Sequence, residues 1–198
     1  MGDPLIGYVG GFEFHSDTYT TVTDEVVGNT SDASLNLAHS DVDGTAATIK
    51  VNGSKVGAQY YNLRPNGNLT LDAGISGDVT ATYNYCNVVV AAGAFMSWSV
   101  DASTQLFDTT NFNTVGWTEQ ISGLNSWTGS AERHWQDDKV ANQEGRKALV
   151  RFWLNDSNDS DYYVGWAIIN GFNANVSVDA LVDEGLEFTG VGSLYKGW

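Results

Sequence analysis

From Val79 to Tyr85 the chain alternates strictly, with Val79, Ala81, Tyr83 and Tyr85 set against Thr80, Thr82 and Asn84. Side chains two apart on an extended strand share a face, so this period suits a half-buried strand and excludes an amphipathic helix. Ala47, Ile49 and Val51 alternate with Thr48 and Lys50 in the same way. A third segment sets Phe172, Ala174, Val176 and Val178 on one face and Asn173, Asn175, Ser177 and Asp179 on the other. Asn52-Gly53 and Pro65-Asn66-Gly67 punctuate the first two segments with hairpin chemistry, glycine accepting positive φ and proline presetting the first turn position. The fold class that follows is all-β, and 22 glycines against 2 prolines agree with strands joined by tight turns.

Tryptophan divides the chain. All seven, Trp98, Trp117, Trp127, Trp135, Trp153, Trp166 and Trp198, follow residue 97, so two differently built parts are expected. The first is a small antiparallel β-module over 15–86, preceded by an arm over 1–14. The second, 87–198, has strands expected near 95–100, 115–121, 147–154, 162–170, 172–179 and 185–190. The tryptophans Trp98, Trp117, Trp127, Trp153 and Trp166 read as core or subunit-contact residues. One short helix is expected at Asp137–Glu144, where Asp137 caps the first N–H groups and Gly145 closes the end. No tandem repeat or low-complexity tract occurs.

The charge restricts partners. Against 24 Asp and Glu stand only 9 Lys and Arg, a formal net charge of −15, and both parts carry the excess. A chain that grips nucleic acid needs clustered cations facing phosphates, so direct DNA or RNA binding is excluded, and anionic membrane surfaces are disfavoured. The start MGDPLIGYVGGFEF has neither basic n-region nor apolar h-region, and no run of eighteen apolar residues follows, so no signal peptide or membrane anchor is expected. The single cysteine, Cys86, excludes an internal disulfide framework and reads as a buried strand residue.

Catalytic and ligand motifs are missing. There is no G-x-S-x-G elbow, no Walker A and no strand-to-helix G-x-G-x-x-G, and His15, His39 and His134 have no triad context. The polar run Asn155–Asp161 resembles a calcium loop faintly, but Asp161 stands where the turn needs glycine and the distal glutamate is missing. Flanked by ALVRFWL and YYVGWAII, it reads as a hairpin turn, with weak calcium binding at Asp156–Asp161 left open. The acid pairs Asp24-Glu25, Asp41/Asp43, Asp137-Asp138 and Asp183-Glu184 read as solvated turns rather than as a glycosidase pair. The sequons at Asn29, Asn52, Asn68, Asn155, Asn158 and Asn175 follow from composition. No catalytic, cofactor-binding or metal residue is assigned and no enzyme activity is expected.

Four segments in order carry a family resemblance: MSWSVDASTQLFDTTNF, GWTEQISGLNSWTGSAERHW, ALVRFWL and YYVGWAIINGFNANVSVDALVDEGLEFTGVGSLY. Their order and spacing resemble the major tail tube proteins of long-tailed, siphovirus-like bacterial and archaeal viruses. The shared features are the segment Asp108-Thr109-Thr110-Asn111-Phe112, Gly123-Leu124 before a Trp127-Thr128-Gly129-Ser130 turn, and a closing strand pair ending in Phe188-Thr189-Gly190. The resemblance implies a tail-tube β-barrel or sandwich whose subunits join into rings, six per ring. The rings stack into a hollow tube through which double-stranded DNA leaves without specific binding. It also implies contacts with other tail proteins, synthesis in the host cytoplasm and location in the virion. The 15–86 module is an addition, expected on the tube exterior, and the loop 101–116, the arm 1–14 and the tail 191–198 are candidate ring-to-ring contacts. Rival expectations are a tail terminator or accessory protein and a carbohydrate-binding β-sandwich.

Overall fold

A computed structural model describes residues 11–15, 19–32, 34–86, 89–92, 95–110, 117–134, 143–154, 161–175 and 182–197. Among these the fold is β, apart from one 3₁₀ turn at Ala58–Tyr60. The first strands in chain order are β1 Gly11–His15, β2 Tyr19–Asn29, β3 Leu35–Asn36, β4 Val42–Val51, β5 Ser54–Lys55, β6 Tyr61–Leu63, β7 Asn68–Leu71 and β8 Asp78–Cys86. They are followed by β9 Val89–Ala92, β10 Phe95–Asp108, β11 Gln120–His134, β12 Lys147–Trp153, β13 Tyr162–Asn175 and β14 Asp183–Lys196. Two compact units result, one of residues 14–91 and one of 1–13 with 92–198.

The smaller unit holds a four-stranded sheet, β2-β8-β4-β5, and a three-stranded sheet, β3-β7-β6. The alternation read in the sequence is the burial pattern of β8: Val79, Ala81 and Tyr83 are buried and join Ile49, Val51, Leu35, Leu63 and Leu69 in one core. Asn52 and Gly53, at φ 49° and 78°, turn β4 into β5 with Val51 opposite Ser54, a tight hairpin that needs positive φ at both positions. Cys86 is buried, as its strand context implied.

The larger sheet has seven strands in the order β10-β11-β14-β13-β12-β1-β9 and curls into a half-barrel. Its core is aromatic. The ring of Phe12 lies 4.5 Å from Phe95 and 5.3 Å from both Phe152 and Phe188, and Trp98 and Trp127 close on Phe152 from the β10–β11 side. Phe12, Phe152, Phe188 and Trp127 among these are buried, and each fully buried side chain of this kind contributes about 1.5–3 kcal/mol relative to exposure. β1 and β9, which lead into and out of the segment 16–88, are hydrogen-bonded neighbours in this sheet.

Several sequence expectations need correction. Residues 101–108 are not loop but the second half of β10, and Trp127–Ser130 is not a turn but lies inside β11. Serine and glycine are weak strand signals alone. Here cross-strand side-chain bonds between Ser99 and Ser130, Ser103 and Ser126, and Thr104 and Asn125, at 3.0, 3.1 and 2.7 Å, stabilise the pairing. The segments 162–170 and 172–179 do not form two strands: Tyr162–Asn175 is one strand, and Asn170-Gly171 is absorbed as an irregularity in the β13–β14 register. Its far end is not cleanly two-faced, since Phe172 is half-buried but Ala174 is exposed; Val176 and Val178 lie outside the described residues. The tail from 191 is strand to Lys196, with Leu194, Tyr195 and Lys196 paired to Gly165, Val164 and Tyr163, and residues 11–14 of the arm belong to β1. The helix expected at Asp137–Glu144 falls largely outside the described residues, of which 143–146 form a turn with Gly145 at φ 77°.

Candidate functional site

β11 pairs with β14 only from His134 to Thr128, whereas its pairing with β10 continues to Gln120 opposite Asp108. Residues 102–108 and 120–127 therefore leave the sheet as a two-stranded ribbon. A ribbon of this kind has little stability of its own in water. It also carries apolar side chains into solvent: Leu106, Phe107 and Ile121 are exposed, and Leu124 and, at the tip, Trp117 are each 80% exposed. Clustered large apolar residues on an exposed element mark a contact surface.

Trp127 anchors the base of the ribbon. Its indole is buried at 3% exposure, its Nε1–H donates to the Gly192 carbonyl at 3.1 Å, and it lies against the α-carbons of Gly165 and Gly190, where any Cβ would meet the ring. Here β11 and β14 separate around a cleft of about 570 Å³ lined by Ala102, Ser126, Trp127, Gly192 and Leu194, among others. Further along the same pair of strands, Arg133 Nε donates to Glu184 Oε2 at 2.8 Å, with both side chains at least 96% buried by exposures of 4% and 1%. The Arg133 guanidinium also lies over the Phe95 ring at 5.9 Å. This ion pair ties ribbon-bearing β11 to β14 across opposite register positions.

The face of β10, β11 and β14 turned away from the aromatic core is polar. In register it presents Ser99, Asp101 and Ser103, then Ser126, Thr128 and Ser130, then Glu187 and Thr189. No lysine or arginine occurs between Arg64 and Arg133, so β10 and the ribbon are free of cations.

The titratable residues singled out in the sequence have structural partners. Asp24, at φ 49° in an irregularity of β2, accepts from Lys50 Nζ at 2.7 Å, and that hydrogen bond and charge hold its carboxyl below the ordinary range. Glu25 accepts from Ala38 N at 2.8 Å and from the Tyr83 hydroxyl, which also lies 2.9 Å from His39 Nδ1. Asp41 and Asp43 are buried, Asp43 accepting from Thr45 and Asp41 lying 3.8 Å from buried His15. His134 and Asp183 meet at 2.7 Å. The reading of the acid pairs as solvated turns is thus corrected for Asp24-Glu25, which lies in a strand, for Asp41/Asp43 and for Glu184; Asp137-Asp138 lies outside the described residues. Asp108 at the ribbon end accepts from Thr110 N and Oγ1, which lowers its carboxyl. Among the described residues no three His, Cys, Asp or Glu gather as for a metal ion. Residues 155–160 of the acidic run lie outside them, while Leu154 N donates to Asp161 O at 2.8 Å between β12 and β13. Of the five tryptophans read as core or subunit-contact residues, Trp127 and Trp166 are buried, Trp98 and Trp153 half-buried, and Trp117 exposed.

The Tyr83 hydroxyl sets a pH dependence. Burial, and then the hydrogen bond to Glu25, raise its pKa above the ordinary 10.0, so the folded module favours the neutral phenol. A raised folded-state pKa gives stability that is complete below the unfolded value and lost as pH climbs through the folded one. The module is expected to lose stability above pH 10, and Tyr83→Phe to flatten that slope; urea titrations between pH 8 and 11 measure both. An unchanged slope in the variant refutes the assignment.

No protein-family model matches the chain, and no curated protein matches it. Among solved structures it is similar to a chain in the tail of an empty gene transfer agent (GTA) particle with C6 symmetry, at 18% identity and a TM-score of 0.46, over 53% of this chain and 83% of that one. A chain in the virion of the native gene transfer agent particle gives 18% identity and 0.42, over 52% and 83%. Likeness of this size fixes no role.

Proposed function

We propose that the chain is a virion structural protein, the repeating subunit of a hollow tail tube, with no catalytic activity. Copies join into rings, six per ring as the sequence resemblance implies, and the rings stack around a channel that passes double-stranded DNA to the host. The observation that carries this reading is the β10–β11 ribbon: two strands without sheet support, with Leu106, Phe107, Ile121 and Leu124 in solvent, need another surface to cover them. The end strands β10 and β9 each have one hydrogen-bonded neighbour among the described residues, and cyclic closure would pair such edges. The hydroxyl and carboxylate face of β10, β11 and β14 is the channel wall in this reading, since it offers phosphates no cation to hold. The 15–86 module decorates the outside.

Electron microscopy of the purified protein tests the proposal: rings or tubes are expected, and a persistent monomer refutes it. Leu106→Glu with Leu124→Glu is expected to abolish assembly while changing subunit stability by no more than about 0.5 kcal/mol, because both side chains are exposed. If this variant still forms tubes, the ribbon is not the contact.

A further inference from the structure

Asparagine followed by glycine occurs three times, at Asn52-Gly53, Asn66-Gly67 and Asn170-Gly171. The pair is chemically labile, because glycine has no Cβ to hinder attack of its backbone nitrogen on the preceding carboxamide. The fold treats the three differently. Asn52 is clamped: its Oδ1 accepts from Asp78 N at 3.0 Å and its Nδ2 donates to the Ser76 carbonyl at 3.3 Å, so the carboxamide is held on the segment 76–78. In Asn66-Gly67 both reacting groups are engaged. Gly67 N donates to the Arg64 carbonyl at 2.9 Å, and Asn66 Oδ1 accepts from Asn68 N at 3.1 Å.

Asn170-Gly171 stands apart. β13 and β14 are in register at Ile169 opposite Phe188 and again at Gly171 opposite Glu187, so Asn170 is the extra residue of a bulge, where the ladder is disrupted. Its side chain is exposed, whereas Ile169 before it is buried. A groove of about 250 Å³ opens beside it on the polar face, lined by Asp101, Thr128, Glu187 and Thr189 among others, with room for water at the carboxamide.

We infer that Asn170 is a deamidation site, the one of the three that reacts in the folded protein. Gly171 N bonds to Asn170 Cγ, the bond from Cγ to Nδ2 breaks, and ammonia leaves with the Gly171 proton, closing a succinimide. Water then opens the ring at either carbonyl, giving aspartate or isoaspartate. Each conversion adds one negative charge to a face that already carries Asp101 and Glu187, and so strengthens its repulsion of polyanions. The chemistry is independent of the tube reading, since a monomer and a ring both carry the bulge.

Peptide mapping tests the site. The folded full-length protein is incubated in mildly alkaline buffer made with heavy-oxygen water, and the three asparagines are followed by mass spectrometry with fragmentation that separates aspartate from isoaspartate. Asn52 and Asn66 must break hydrogen bonds before they react, so Asn170 is expected to convert about tenfold faster than either, taking up one heavy oxygen. In urea these protections vanish and the three rates should converge. Conversion first at Asn52 or Asn66 in the folded protein overturns the assignment, as does a lead of Asn170 that persists undiminished in urea. So does an inert Asn170 under conditions where the urea-unfolded chain reacts there. Rings or their absence in electron micrographs bear on the tube reading alone.

Discussion

Trp127→Ala is expected to destabilise the larger unit by about 3–5 kcal/mol, the cost of truncating a buried large aromatic side chain. The site cannot collapse cheaply. The indole fills the fork where β11 and β14 part, and the neighbours it touches are the glycines Gly165 and Gly190, which have no side chain to fall into the space. The Gly192 carbonyl loses its donor at the same time. Trp127→Phe keeps most of the ring and loses only that hydrogen bond and some volume, so it should cost about 1–2 kcal/mol. Denaturant titration followed by near-ultraviolet circular dichroism measures both. Equal effects for the two variants would show that the hydrogen bond, not the filling of the fork, carries the stability. Because the ribbon springs from this residue, Trp127→Ala should also lower assembly competence at temperatures where the remaining sheet is folded.

Arg133→Met should cost a similar amount, about 3–5 kcal/mol, for a different reason. Glu184 would keep its charge at 2% exposure with the partner gone. Replacing both, Arg133→Met with Glu184→Leu, is expected to recover most of the loss, since a desolvated ion pair and a packed apolar pair of like volume are close in free energy. Thermal unfolding of the two single variants and the double variant gives the coupling. A double variant as unstable as the sum of the singles would mean that Arg133 acts through its contact with Phe95 rather than through Glu184.

How far the sequence discloses the fold depends on where the information lies. The β8 pattern is local: Val79, Ala81 and Tyr83 announce a face, and the structure buries it. The Asn52-Gly53 turn is equally legible, because its backbone angles demand those residues. The ribbon is not. Ser99 and Ser103 are poor strand formers until Ser130 and Ser126 lie across from them, and that pairing is invisible one strand at a time. Glu184 next to Asp183 looks like a solvated pair for the same reason, its arginine being 51 residues away in sequence. The candidate site suffers most. Leu106 and Phe107 fall in the segment 101–116 that reads as a loop, and only the early parting of β11 from β14 makes them and Ile121 exposed strand residues.

The adjacency of β1 and β9 bears on the order in which the molecule is made. β1 cannot meet β9 until the whole segment 16–88 has been traversed, and closing so long a loop as free chain is slow. A module that has already folded shortens that search by bringing its two ends together, so the end strand of the large sheet is completed late. In the self-assembly reading proposed above, a ring that needs that edge would recruit only subunits whose module has folded.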